Sequence, residues 1–229
     1  MKFGSLFSGI GGLDLGLERA GMKCAWQVEI DDYANKVLEK HWPGVPRFRD
    51  IRECGSGNLE PVDLIAGGFP CQDVSLAGAR AGITGKRSGL WKEYARIIRE
   101  LRPRIVLVEN VPGLLSGGMG EVLGDLSSLG FDAEWESLPA SAFGAPHRRD
   151  RIFMVAYADR GRELQSEGVF PDEWRWTCDG NWWARKPGIC PVAYGVSGWV
   201  DMLRCFALAV VPQVAEYVGK RIMEWTSSR

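Results

Sequence analysis

Short apolar runs alternate with stretches of helical spacing through the first two-thirds of the chain. The runs at residues 2–7, 23–28, 62–66, 105–108, 131–138 and 152–156 predict strands, bounded by polar or glycine-rich punctuation. Between them Leu13, Leu17 and Ala20 share one helical face that Gly21 closes, and Ala34, Val37, Leu38 and His41 share another after Asp31 or Asp32 as N-cap. A third helix carries Trp91, Tyr94, Ala95, Ile98 and Leu101 on its inner face, with Ser88 as cap and Pro103 as terminator. Val122, Leu123, Leu126 and Leu129 mark a fourth, ended by Gly130. Strands that alternate with helices imply an α/β fold around a mostly parallel sheet.

The alternation stops at residue 159. From there to about residue 198 the chain turns to tryptophans (Trp174, Trp176, Trp182, Trp183), glycines and prolines, which predicts an irregular insertion. Helical spacing returns at Val214, Tyr217, Val218 and Ile222, with Pro212 placed for a helix start. The expected division is therefore residues 1–158 as the main domain, 159–198 as an insertion, and 199–229 as a helical segment returning to the main domain.

Composition narrows the class without choosing the chemistry. The 229 residues are 45% hydrophobic and 25% charged, ordinary values for a globular protein. No apolar run reaches the roughly 20 residues of a membrane span, so a cytoplasmic protein without membrane contact is expected. Six cysteines without C-x-x-C spacing suggest neither a disulfide framework nor a metal site. A net charge of −1 is not that of a generic polyanion binder, but the cations are bunched. Arg80, Lys86, Arg87, Lys92, Arg96, Arg99, Arg102 and Arg104 crowd one region, and Arg148, Arg149 and Arg151 form a second group. Arg96, Arg99 and Arg102 read as the solvated face of a helix.

Candidate chemistry gathers at predicted strand ends. Ser8-Gly9-Ile10-Gly11-Gly12 follows a strand and opens a helix, so its backbone can approach a nucleotide-like ligand. Glu29 ends the second strand, where an acidic residue can accept from both hydroxyls of a ribose. Asp50 suits an adenine amino group, although alone it reads as a turn aspartate. Gly67-Gly68-Phe69-Pro70-Cys71-Gln72 presents a thiol just past a strand, where it can act as a nucleophile. Glu109 ends the next strand, and a buried carboxyl there has the raised pKa of a proton donor. Arg151, at the start of a later strand, can hold a carbonyl oxygen. Residues 73–89, with four glycines and Arg80, Lys86 and Arg87, read as a basic lid or as a plain surface loop.

These motifs, in this order, resemble the cytosine-5 DNA methyltransferase family. The resemblance is carried by Leu6 to Gly12, Pro70-Cys71-Gln72, Glu109-Asn110-Val111 and Pro146-His147-Arg148-Arg149-Asp150-Arg151. It implies a Rossmann-like methyltransferase sheet, S-adenosyl-L-methionine as cofactor, and methyl transfer to carbon 5 of cytosine in double-stranded DNA. A base-flipping step is required, because the target atom lies inside the stack. The implied catalytic residues are Cys71, Glu109, Arg149 and Arg151. The implied cofactor contacts are Phe7, Gly9, Ile10, Gly11, Gly12, Glu29, Ile30, Asp50, Ile51 and Pro70, and no metal is called for. The insertion maps onto a reduced target-recognition region, and a monomer with a cognate restriction endonuclease is expected alongside.

Three departures from the family pattern stand out. Asp73 replaces a proline, His147 a glutamine, and Ala207-Leu208 stands where Gly-Asn is usual, which predicts weakened cofactor binding. A catalytically impaired DNA-binding relative and an RNA cytosine-5 methyltransferase are the alternatives. A nicotinamide oxidoreductase would explain the glycine loop and leave Cys71 unused.

Overall fold

The computed structural model describes residues 1–70, 89–158, 168–170 and 208–228. In chain order the elements are β1 (Lys2–Leu6), α1 (Gly12–Arg19), β2 (Lys23–Val28), α2 (Asp32–His41), β3 (Arg47–Phe48), β4 (Leu64–Gly67) and α3 (Leu90–Leu101). They continue with β5 (Ile105–Asn110), α4 (Leu114–Gly117), α5 (Met119–Ser128), β6 (Phe131–Pro139), β7 (Asp150–Ala158) and α6 (Pro212–Ser227). Single 3-10 turns at Ile51–Glu53 and Ala140–Phe143 complete the set.

One seven-stranded sheet organises the chain, in the order β3-β2-β1-β4-β5-β7-β6. The pairs from β3 through β5 are parallel, while β7 runs antiparallel to both β5 and β6. The chain winds outward from β1 to β3, then restarts at β4 on β1's other side. That reversal opens a crevice at the carboxyl ends of β1 and β4, the usual ligand position in such sheets. Because β7 is antiparallel, its first residues lie at the same edge as the last residues of β5.

The central strands are buried on both faces, as parallel strands covered by helices must be. Ile65 and Val106 point into the core shared with Trp91, Tyr94 and Ile98 of α3. Leu64, Ala66, Ile105 and Leu107 point the other way, toward Leu17 of α1 and Val214, Ala215 and Val218 of α6. The C-terminal helix thus packs on the main sheet through α1, as the spacing of its apolar residues predicts.

Two details differ from the pattern-based reading. Gly89 occupies the N-cap of α3, and Ser88 lies outside the described residues. Arg96 is no solvated cation: it pairs with Glu93 and Glu100 and donates to the carbonyls of Ile51 and Cys54. Lys92 is likewise paired, with Glu121 and Asp125. Lys92 and Arg96 are therefore charge-compensated. Of the predicted insertion only residues 168–170 are described: Val169 and Phe170 donate their N–H groups to the Glu134 carboxylate.

Candidate active site

Five strand ends meet at the crevice. The turn after β1 is unusual in its backbone: Phe7, Gly9 and Gly11 have φ of 54°, 55° and 81°. Glycine tolerates this region, but a phenylalanine there is strained and must be held by its surroundings. Nothing lies within 4 Å of where a Cβ on Gly9 would stand, so the turn opens outward at that point. Gly11 caps α1 without any side-chain cap, leaving the helix N-terminus to meet a ligand. Gly12 faces the other way, against the Val210 carbonyl, which a side chain would displace.

Glu29 ties β2 to this turn. Its Oε2 accepts from the Gly9 N–H at 2.7 Å and its Oε1 from the Asp31 N–H at 2.8 Å. Burial pushes the carboxyl above its ordinary pKa, and the two N–H donors pull it back. Each oxygen keeps a lone pair for a further donor. Asn35 donates to the Glu29 carbonyl and so fixes the strand end, and Ile30 beside it is 62% exposed. Asp50 caps the 3-10 turn, and both its oxygens are held by the Arg52 guanidinium, which lowers its pKa. Ile51 is buried in the core, and its carbonyl accepts from Arg96 and from the Cys54 N–H.

On the other side of β1, β4 leads through Gly67 and Gly68 to Phe69 and Pro70. Phe69 is buried against the Trp91 ring, and its carbonyl accepts from Asn110 Nδ2 at 3.3 Å. Asn110 Oδ1 accepts in turn from the Val111 N–H. The end of β5 thus braces the segment that delivers Cys71, a residue outside the described set together with residues 72–88. A Cβ on Gly68 would come within 2.6 Å of Glu109 Oε2, so a side chain there would displace the carboxyl.

Glu109 is buried, and Arg151 Nε lies 3.1 Å from its Oε1. Desolvation of the carboxylate outweighs the attraction of Arg151 and Arg149, and the pKa rises to about 7. Arg149 also sits at positive φ, and its Nη2 donates to the Ala209 carbonyl at 2.6 Å. Residues 208–211 therefore run as a strap between the glycine turn, through Val210, and the base of β7, through Arg149. Leu208, where bulk near the cofactor is predicted, is 59% exposed, and Ala207 lies outside the described residues.

The sequence-derived residues Phe7, Gly9, Ile10, Gly11, Gly12, Glu29, Ile30 and Pro70 thus sit around one crevice, with Glu109, Arg149 and Arg151 beside it. Asn110, Gly68 and Asn35 were not singled out as site residues. Only their tertiary partners give them a role, although Asn110 adjoins Glu109 in the quoted motif. No cluster among the described residues could hold a metal ion, and no described helix is long and apolar enough to cross a membrane.

A family model for C-5 cytosine-specific DNA methylase matches residues 1–174, three-quarters of the chain. The chain belongs to that family. It is 42% identical over 164 residues to Type II methyltransferase M2.BsuMI of Bacillus subtilis, covering 68% of this chain and 42% of that protein. Over 161 residues it is 33% identical to Type II methyltransferase M.HhaI of Haemophilus parahaemolyticus, covering 69% of this chain and 49% of that protein. The chain therefore spans less than half the length of these relatives. Among solved structures, the Entamoeba histolytica methyltransferase EhMeth superposes with a TM-score of 0.61 over 77% of this chain and 57% of that one. At 20% identity that likeness speaks for the fold alone, a Rossmann-like methyltransferase sheet. Members of the family depend on S-adenosylmethionine.

Proposed function

We propose that the chain methylates carbon 5 of cytosine in double-stranded DNA, with Cys71 as nucleophile. The observation that carries this is Glu109: a buried carboxyl with a pKa near 7, paired with Arg151, next to the braced segment that ends at Cys71.

The crevice fits an adenosyl cofactor. Gly9 leaves open space, Glu29 offers lone pairs to ribose hydroxyls, the first turn of α1 is uncapped, and Ile30 presents an apolar side chain for a base. Phe7, Ile10, Gly11, Gly12 and Pro70 complete the rim, and Asp50 and Ile51 supply its far end. S-adenosylmethionine supplies an electrophilic methyl group when bound.

The protein's part is to make an electron-poor ring nucleophilic. Cys71, as thiolate, adds to carbon 6 of the extruded base. Glu109 delivers its proton to ring nitrogen 3, so the electron pair displaced by the sulfur is held as a neutral enamine with carbon 5 nucleophilic. Arg151 holds the ring carbonyl oxygen, and Arg149 keeps the strap against the site. After carbon 5 is methylated, its proton passes to solvent water, the electron pair left behind expels the thiolate, and the nitrogen proton returns to Glu109. The Type II naming of the relatives supports a companion restriction endonuclease for this activity too.

Trapping on a duplex carrying 5-fluorocytosine tests the reading, since fluorine cannot leave as a cation and the covalent complex accumulates. A denaturation-resistant, cofactor-dependent adduct that disappears in Cys71→Ala is expected. Turnover by Cys71→Ala, or no adduct in the wild type, contradicts it. A catalytically impaired relative that still binds DNA is the reading a wild type without adduct would favour, and the Leu208 departure is its motive.

A further inference from the structure

Beneath the glycine turn lies a group of polar side chains that neither the cofactor crevice nor the base pocket uses. Asp14, in the first turn of α1, has no exposed surface, and neither do Ser5 on β1 and Gln27 on β2. Ser5 Oγ donates to Asp14 Oδ1 at 2.6 Å and Gln27 Nε2 to Asp14 Oδ2 at 2.7 Å. Ser8 Oγ lies 2.9 Å from Ser5 Oγ and 3.3 Å from the Ser5 carbonyl, and donation to the nearer hydroxyl extends the chain of hydrogen bonds to the turn itself. The Gln27 Oε1 atom is buried without a partner. A first-turn aspartate ordinarily caps its own helix. This one accepts from its own backbone N–H and also sends its two oxygens into the sheet, to Ser5 and Gln27.

Such a group is expensive to bury. The charged neighbour of Asp14 is Glu18, of the same sign, and the Cys24 thiol on β2 feels the carboxylate as a further unfavourable charge. Burial raises the Asp14 pKa to about 6, so at neutral pH it is an anion accepting from both donors. A buried acid with no cation beside it among the described residues is kept where it holds something that apolar packing could not. What it reaches is Ser8, the residue between two positive-φ positions. The Ser8 N–H donates to the Val28 carbonyl, and the Ser8 carbonyl accepts from the Gly11 N–H. Its hydroxyl is the remaining anchor of a strained turn.

We propose that Asp14 is a positioning residue for cofactor binding, which acts through Ser5 and Ser8 to hold the Phe7 to Gly11 turn in its binding shape. This rests on the reading of that turn as the cofactor crevice. Asp14 touches no substrate or cofactor.

The test is titration of the full chain with S-adenosylhomocysteine at pH 8, with cofactor KM and kcat measured in parallel. Asp14→Asn and Ser8→Ala are each expected to raise the dissociation constant roughly tenfold. The double variant should be no weaker than the worse single one, because both changes cut one relay. The loss should fall on KM for the cofactor rather than on kcat, a split that general loosening of the fold would not give. Wild-type affinity in Ser8→Ala, or losses that multiply in the double variant, overturns the proposal, and Ser8→Ala decides alone if Asp14→Asn does not fold. Glu29→Ala separates the underlying reading: if it binds as the wild type does, or if the wild type binds nothing, the crevice assignment falls and this proposal with it.

Discussion

Glu29, half-buried, and Glu109, buried, are two glutamates at the ends of strands in one sheet, and their surroundings make them different reagents. Glu29 accepts from two backbone N–H groups, which stabilise its charge and fix its position. Glu109 is attracted by the guanidinium groups of Arg151 and Arg149, but desolvation dominates and its pKa reaches about 7. Burial raises the pKa of both carboxyls, but backbone N–H donors offset part of the rise at Glu29, while Glu109 reaches the range where a group can hold or give a proton near neutrality.

The largest effect should come from breaking the Glu109 side. Glu109→Gln keeps the shape and removes the proton, so single-turnover methylation should fall by about 10²- to 10⁴-fold, with S-adenosylhomocysteine affinity unchanged by calorimetry. A fall below about tenfold would remove Glu109 from proton transfer. Breaking the other side should act on binding instead. Glu29→Ala should weaken cofactor affinity by roughly 10- to 100-fold, read as a raised KM with a smaller change in kcat.

Gly68→Ala sharpens the comparison without touching either carboxylate. Its methyl would crowd Glu109 Oε2 and displace the acid, so turnover should drop about tenfold while cofactor affinity holds. Gly57→Ala, where nothing lies within 4 Å of the new Cβ, is the control. The smallest effect concerns stability. The folded-state pKa of Glu109 lies above its unfolded value, so the folded form binds more protons between about pH 4.5 and 7 and this group's contribution falls as pH rises through that window. Glutamine has no such fall. The difference in Tm between Glu109→Gln and wild type should therefore grow in favour of the variant from pH 5 to pH 7.5, by a few degrees.

The sequence carries the glycine turn, the order of strands and the strand-end polar residues, because each depends on local spacing and turn chemistry. It does not show what those residues face. The ion pair of Glu109 with Arg151 depends on β7 entering antiparallel beside β5, which residue patterns in either strand alone do not reveal. Asp14 reads in sequence as a first-turn helix acid, and only the stacking of α1 over β1 and β2 converts it into the buried end of a relay. Arg96 reads as a solvated cation because the Ile51 and Cys54 carbonyls that it reaches lie far away along the chain. Cys71 was placed by its motif, and it stays outside the described residues.

The central claim is that Glu109 is a proton carrier near neutral pH, and carboxyl 13C NMR on glutamate-labelled protein measures it directly. The account predicts a resonance that titrates near pH 7 in the wild type and vanishes in Glu109→Gln. A Glu109 carboxyl fully ionised by pH 5.5, its resonance flat from there to pH 8, would contradict it.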